Sequence, residues 1–144
     1  MRKLKNFLLV FILAVLMVSC GAPEENGLIG THENCTRTSS GVSCTGYYDR
    51  VVGENTKSYE DIFFEGEGAA YLDITISSTE NPMSFAVKQF GIEEEWKTVT
   101  VDPLKPGRFK GWVIPDANGK FVIKYLQDQK NATGRVDYTF IVNR

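Results

Sequence analysis

The sequence predicts an all-β fold: a single antiparallel β-sandwich or jelly roll of about eight short strands, downstream of an N-terminal signal peptide. Three observations lead there. From Thr45 onward apolar residues recur with period two, the side-chain period of a half-buried strand. Clusters of Gly, Pro, Asn and Asp interrupt that pattern at short intervals, as turns between short strands do. No segment after the leader carries the 3.6-residue period of an amphipathic helix.

The elements follow in order. The expected strands are Gly46 to Val52, Tyr59 to Glu65, Ala70 to Ser77, Ser84 to Phe90, Trp96 to Asp102, Arg108 to Ile114, Lys120 to Gln127 and Arg135 to Val142. Alternation puts Leu72, Ile74 and Ile76 on one face and Tyr71, Asp73 and Thr75 on the other. It sends Val136, Tyr138, Phe140 and Val142 inward, and groups Phe121, Ile123 and Tyr125. Breaks are expected at Gly53–Asn55, Gly66–Gly68, Thr79–Pro82, Gly91–Glu95, Pro103–Gly107, Asp116–Gly119 and Lys130–Gly134. Asn118-Gly119 is the strongest hairpin signal, because a primed turn needs positive φ and Gly supplies it cheaply. Eight strands at this spacing fit one sandwich or jelly roll.

The chain begins with a basic segment, Met1 to Asn6, followed by twelve uncharged apolar residues, Phe7 to Val18. That is the length of a signal-peptide core and falls short of the roughly 18–20 residues of a spanning helix. The stretch Leu16-Met17-Val18-Ser19-Cys20 resembles the lipobox of bacterial lipoproteins, with Met17 where Leu is commonest. The resemblance implies diacylglyceryl transfer to the Cys20 thiol and cleavage before it. The expected organisation is therefore a leader over 1–19, a lipidated N-terminus with a flexible tether over 20–34, and a β-sandwich over 35–144. Localisation follows: lipid-anchored at the cell membrane or outer membrane, facing the periplasm or exterior. Gly21 in place of Asp favours the outer membrane where the host has two.

About 125 residues remain without the leader, carrying 13 basic and 18 acidic residues, a net charge of −5. An acidic domain of this size disfavours nucleic acid, which rewards a basic face, and membrane contact is assigned to the acyl anchor. With Cys20 given to lipid, Cys35 and Cys44 are left to pair, and export makes a disulfide the expected state. A zinc pair is disfavoured because His32 is the only histidine, and no metal or other cofactor is expected.

The run from Tyr59 to Asn143 also resembles the bacterial pre-peptidase C-terminal type of β-sandwich. The matching parts are Tyr71 to Ile76, Ser84 to Lys88, Gly119 to Tyr125 and Tyr138 to Val142. The resemblance implies a secreted module that binds or assists its neighbours. Asn81-Pro82-Met83 stands where that family carries acidic residues, which removes the grounds for calcium.

No catalytic set stands out, and the expectation is a non-enzymatic protein. His32 falls in the expected tether beside Glu33, where hydrogen-bond geometry cannot be held. Gly-x-Ser-x-Gly, His-Glu-x-x-His and a phosphate-cradling loop are all missing from the sequence. The carboxylate clusters Glu60-Asp61, Glu65 with Glu67, and Glu93 to Glu95 read as turn charge, with paired-carboxylate hydrolysis as the weakest alternative. Asp116 to Gly119 opens like a calcium loop but has no acidic twelfth position, so it reads as a turn. Trp112 and Trp96 are the candidate ligand-binding residues, since exposed indoles anchor proteins or stack on sugars. Tyr47 and Tyr48 are adjacent, so one faces outward. The leading reading is a lipid-tethered binding module for an envelope protein or polysaccharide. The runner-up is an inhibitor or exclusion lipoprotein acting on a hydrolase or phage through an inserting loop, Asp102 to Gly107.

Overall fold

A computed structural model describes residues 26–63, 68–89, 96–128 and 132–143, with backbone alone for 60–63. The expected leader and Cys20 lie outside the described residues. Among the described residues eleven strands run in chain order: β1 Gly27–Ile29, β2 His32–Thr38, β3 Gly41–Tyr48, β4 Arg50–Val52, β5 Glu54–Phe63, β6 Ala70–Ser78, β7 Met83–Lys88, β8 Trp96–Val101, β9 Gly107–Val113, β10 Lys120–Leu126 and β11 Val136–Asn143. The fold class is the one expected, an antiparallel β-sandwich. One sheet has five strands in the order β2-β3-β11-β6-β9, the other four in the order β5-β10-β7-β8, and β1 pairs with β4.

The strand count and the domain start differ from expectation. Within the expected tether, residues 27–29 form β1 and residues 32–34 open β2. Composition misled here: β2 is an edge strand of polar residues, exposed along most of its length. Its order comes from pairing with β3 over Thr38↔Gly41 to His32↔Tyr47, which a hydrophobic pattern does not report. The expected break over Gly53–Asn55 shrinks to Gly53 alone. Its φ of +69° is a left-handed conformation that glycine adopts without penalty, and it turns β4 directly into β5.

The alternation holds where it was clearest. β6 is buried at every second residue throughout, with Leu72, Ile74 and Ile76 fully inside. β11, the last strand, inserts between β3 and β6 and sends Val136, Tyr138, Phe140 and Val142 inward. From the facing sheet Phe85, Val87, Phe121, Ile123 and Tyr125 complete the core. Aromatic rings span the two layers: Phe140 lies 4.9 Å from Tyr59 and 5.6 Å from Phe121.

A chain of hydroxyls crosses this core. The Tyr125 and Tyr59 oxygens are 2.7 Å apart and those of Tyr59 and Tyr48 are 3.4 Å apart. Tyr138 donates to Glu33 Oε2 at 2.6 Å. Gly46 makes that last contact possible. It occupies the row between Glu33 and Tyr138, and a methyl group there would collide with the Tyr138 hydroxyl. The edge strand β2 is thus tied to the core through a missing side chain. Burial raises the pKa of Tyr138, and its bond to Glu33 raises it further.

The segment before β11 was expected as a plain turn, yet Thr133 is buried in it. Its N–H donates to the Val51 carbonyl at 3.1 Å, and its Oγ1 accepts from the Val51 N–H at 2.9 Å. Thr133→Val keeps the shape but orphans a buried donor. It should lower unfolding free energy by about 1–3 kcal/mol. Urea denaturation checks this: the midpoint falls and the slope stays constant.

Candidate functional site

The outer face of the five-stranded sheet carries the side chains that the core does not use. Register sets them in rows. Trp112 stands opposite Tyr71, Lys110 opposite Asp73, and Asp73 opposite Ile141. The next row holds Arg108, Thr75, Thr139 and Thr45. Asp137, Tyr47 and His32 close the other end.

At the first end, Trp112 is 52% exposed and Ile141 is 41% exposed. The indole meets Tyr71 edge to face with centroids 5.8 Å apart, a favourable quadrupolar geometry. Lys110 bridges Asp73 at 2.6 Å, and that hydrogen bond holds its ammonium above the usual lysine range. Trp112 with Tyr71, and Ile141 beyond Asp73, therefore set apolar groups and one ion pair side by side on this end of the face. Trp112 points outward because Phe109 and Val113 take the inward positions of β9, as alternation predicts. Ile141 was legible by the same rule, since its neighbours Phe140 and Val142 face the core.

At the second end, Tyr48 is buried and Tyr47 faces outward. His32 stacks on Tyr47 at 4.4 Å, and the Arg135 guanidinium sits 3.7 Å from the same ring centroid. Arg135 also gives two hydrogen bonds to Asp137 Oδ1, at 2.9 and 2.7 Å. A shallow groove of about 450 Å³ runs here past Asn34 and Thr45. The Tyr47 ring is covered by its two neighbours, so it is not an open stacking platform. Trp112 is the open one.

The remaining candidates fall as follows. Cys35 and Cys44 are disulfide-bonded, as the cysteine count implied. They are directly opposed on β2 and β3 with Cα atoms 4.1 Å apart. The intervening residues are mostly strand, with the turn confined to Ser39-Ser40. His32 sits in β2, not in a tether. Trp96 lies on the outer face of the four-stranded sheet, opposite Lys88. The two tryptophans thus stand on opposite sides of the sandwich and cannot share one ligand surface. Alternation within a strand reports a face, not which sheet the strand joins.

Asp116 to Gly119 forms a tight turn, with Gly119 N–H donating to the Asp116 carbonyl at 3.0 Å and a φ of +73° at Gly119. It is not a hairpin: β9 and β10 on its two sides belong to different sheets. In the Asp102 to Gly107 connection, Leu104 is 95% exposed at the tip. The Glu65, Glu67 and Glu93 to Glu95 positions lie outside the described residues, as do the side chains of Glu60 and Asp61. Among the described residues no three His, Cys, Asp or Glu side chains cluster as a metal site would need. No helix among them is long and apolar enough to cross a membrane.

No protein-family model matches the chain, and no curated protein matches it. Two solved structures are similar at low identity. One is a carbohydrate-binding module from Cellvibrio mixtus lichenase 5A in complex with cellotriose, 17% identical, covering 84% of this chain and 90% of that one, with a TM-score of 0.42. The other is from Bacillus endospore appendages, described as a novel family of disulfide-linked pili. It is 12% identical, covers 87% of this chain and 96% of that one, and has a TM-score of 0.39.

Proposed function

We propose that this chain is a lipid-anchored, non-enzymatic binding domain of the cell envelope that docks a partner protein on the outer face of its five-stranded sheet. One observation carries the reading: Trp112 on β9 and Ile141 on β11 are both exposed on this face, in successive rows on either side of β6, with Tyr71 against the indole and the Lys110–Asp73 pair and Arg108 beside them. Exposed aromatic and aliphatic side chains interspersed with charged ones on one sheet face match the composition of protein interfaces, where tryptophan and tyrosine are the commonest anchors. The exposed isoleucine on the same face favours a protein partner over a glycan.

The lipobox-like stretch supports the anchor. Only six residues separate Cys20 from β1. Fully extended they reach roughly 20 Å, so lipidation at Cys20 would hold the domain close to the bilayer. His32 supports the non-enzymatic reading. It is stacked on Tyr47, with no nucleophile or carboxylate hydrogen-bonded to it among the described residues.

Trp112→Ala tests the docking face. The variant should keep its stability within about 0.5 kcal/mol, as exposed substitutions do, and lose partner capture from an envelope extract tenfold or more. A large fall in melting temperature would mean the indole is structural and would sink the assignment. If capture survives Trp112→Ala but is lost in Leu104→Ala, the inhibitor reading with an inserting Asp102 to Gly107 loop takes its place. Intact mass of the membrane fraction tests acylation of Cys20 separately.

A further inference from the structure

The side of the sandwich opposite Trp112 has a cavity of its own, of about 220 Å³. The Trp96 indole, Lys88, Thr56 and Ser58 wall it, Val122 lies beneath, and the turn at Asp116-Ala117 rims it. Val122 faces away from the inter-sheet core, being paired with Ser58, yet it is buried, as the floor of a covered site must be. Lys124 places its ammonium 4.3 Å from the Trp96 ring centroid. Lys124 does not itself line the cavity but is paired with Thr56, which does.

The polar groups here are unspent. No hydrogen bond or ion pair engages the side chains of Lys88, Thr56 or Ser58 among the described residues. The carboxylate on the rim is held in its turn: Asp116 Oδ1 accepts the N–H groups of Asn118 at 2.9 Å and Lys120 at 2.8 Å, which fixes where its charge sits. An aromatic wall, two free hydroxyls and an unpaired ammonium thus converge on one small space.

We infer that this cavity binds a single sugar ring carrying a carboxylate, a hexuronic acid residue. The indole offers its flat apolar surface to the C–H face of the ring. Thr56 and Ser58 meet ring hydroxyls, and the Lys88 ammonium takes the carboxylate in a charge-assisted hydrogen bond. The volume lies below the ~300–1,000 Å³ of sites for drug-sized ligands, so it suits one ring or a chain end, not an extended oligomer. The Lys88 ammonium beside the hydroxyls selects an acidic ring over a neutral one, and the charge of Asp116 on the rim requires the ligand's carboxylate to lie at the lysine side of the cavity.

The full chain carrying Trp112→Phe keeps Trp96 as its only tryptophan, which makes fluorescence a direct readout. Titrated glucuronic acid should change that emission saturably, with a Kd of about 1 mM. Glucose, and acetate at matched ionic strength, should each bind at least about tenfold more weakly, since each lacks half of the recognition. Lys88→Gln in the same background should weaken glucuronate by about tenfold or more, with an unchanged near-ultraviolet spectrum confirming the fold. Ser58→Ala gives a second, milder variant. No saturable response to glucuronate, an equal response in Lys88→Gln, or equal binding of glucose or acetate would overturn the inference. The result is independent of the Trp112 face, because the two surfaces lie on opposite sides of the sandwich.

Discussion

Replacing Phe140 with alanine should lower the unfolding free energy by about 3–5 kcal/mol, the largest single effect expected in this domain. Phe140 is fully buried on β11, between Cys44 of β3 and Ile74 of β6. Its ring reaches Tyr59 and Phe121 of the facing sheet. Truncation removes transfer energy and also leaves a cavity between two sheets whose backbones cannot close over it. Domains of this size have about 5–15 kcal/mol in total, so the variant should be marginal at 37 °C. Thr139→Ala, one residue earlier on the outer face, is the control and should stay within about 0.5 kcal/mol. Chemical denaturation of both proteins makes the comparison. Near-equal losses would mean that β11 does not hold its observed register, since a slip of one residue exchanges the two faces.

The second large effect is expected at alkaline pH. Burial pushes the hydroxyls of Tyr59 and Tyr125 well above the ordinary tyrosine value of 10.0. The unfolded chain releases these protons near pH 10 while the native state keeps them. The stabilisation is therefore fully present below pH 10 and is lost as pH rises toward the folded-state values. Each such tyrosine gives a fall of about 1.4 kcal/mol per pH unit above pH 10, and Tyr48 and Tyr138, also raised by burial, add to it. Tyr125→Phe should remove one tyrosine's share of that slope, about 1.4 kcal/mol per pH unit. At neutral pH it should also cost about 1–2 kcal/mol, because it takes away the partner 2.7 Å from the Tyr59 hydroxyl. Denaturation midpoints measured from pH 9 to 12 in both proteins isolate the tyrosines from the lysines they share. A slope identical in the two proteins would mean that Tyr125 ionises within the fold, and the buried network would be wrong.

The site was legible in part. Alternation along β9 was enough to turn Trp112 outward, because Phe109 and Val113 must face the core. The same rule applied to β11 exposes Ile141, although its place on one face with Trp112, across Asp73 and Tyr71, depends on β6 lying between β9 and β11. The Trp96 cavity was not legible. Its walls come from β5, β7, β8 and the turn before β10, segments separated by up to about sixty residues in sequence. Nothing local marks Gly46, whose role depends on Tyr138 and Glu33 standing on either side of it.

Taken alone, the sequence determined which residues face inward along each clear strand, that Cys35 and Cys44 pair once Cys20 is set aside, and that the domain is all-β. These are local matters, set by the two-residue repeat of an extended backbone and by counting thiols. Tertiary structure decided the rest. It ordered a polar edge strand where composition suggested a tether, sent the strands around Asn118-Gly119 to different sheets, and parted the two tryptophans. The reason is physical: alternation is written in consecutive residues, whereas strand order is chosen by contacts between distant ones, and no short stretch of chain records its neighbour across a sheet.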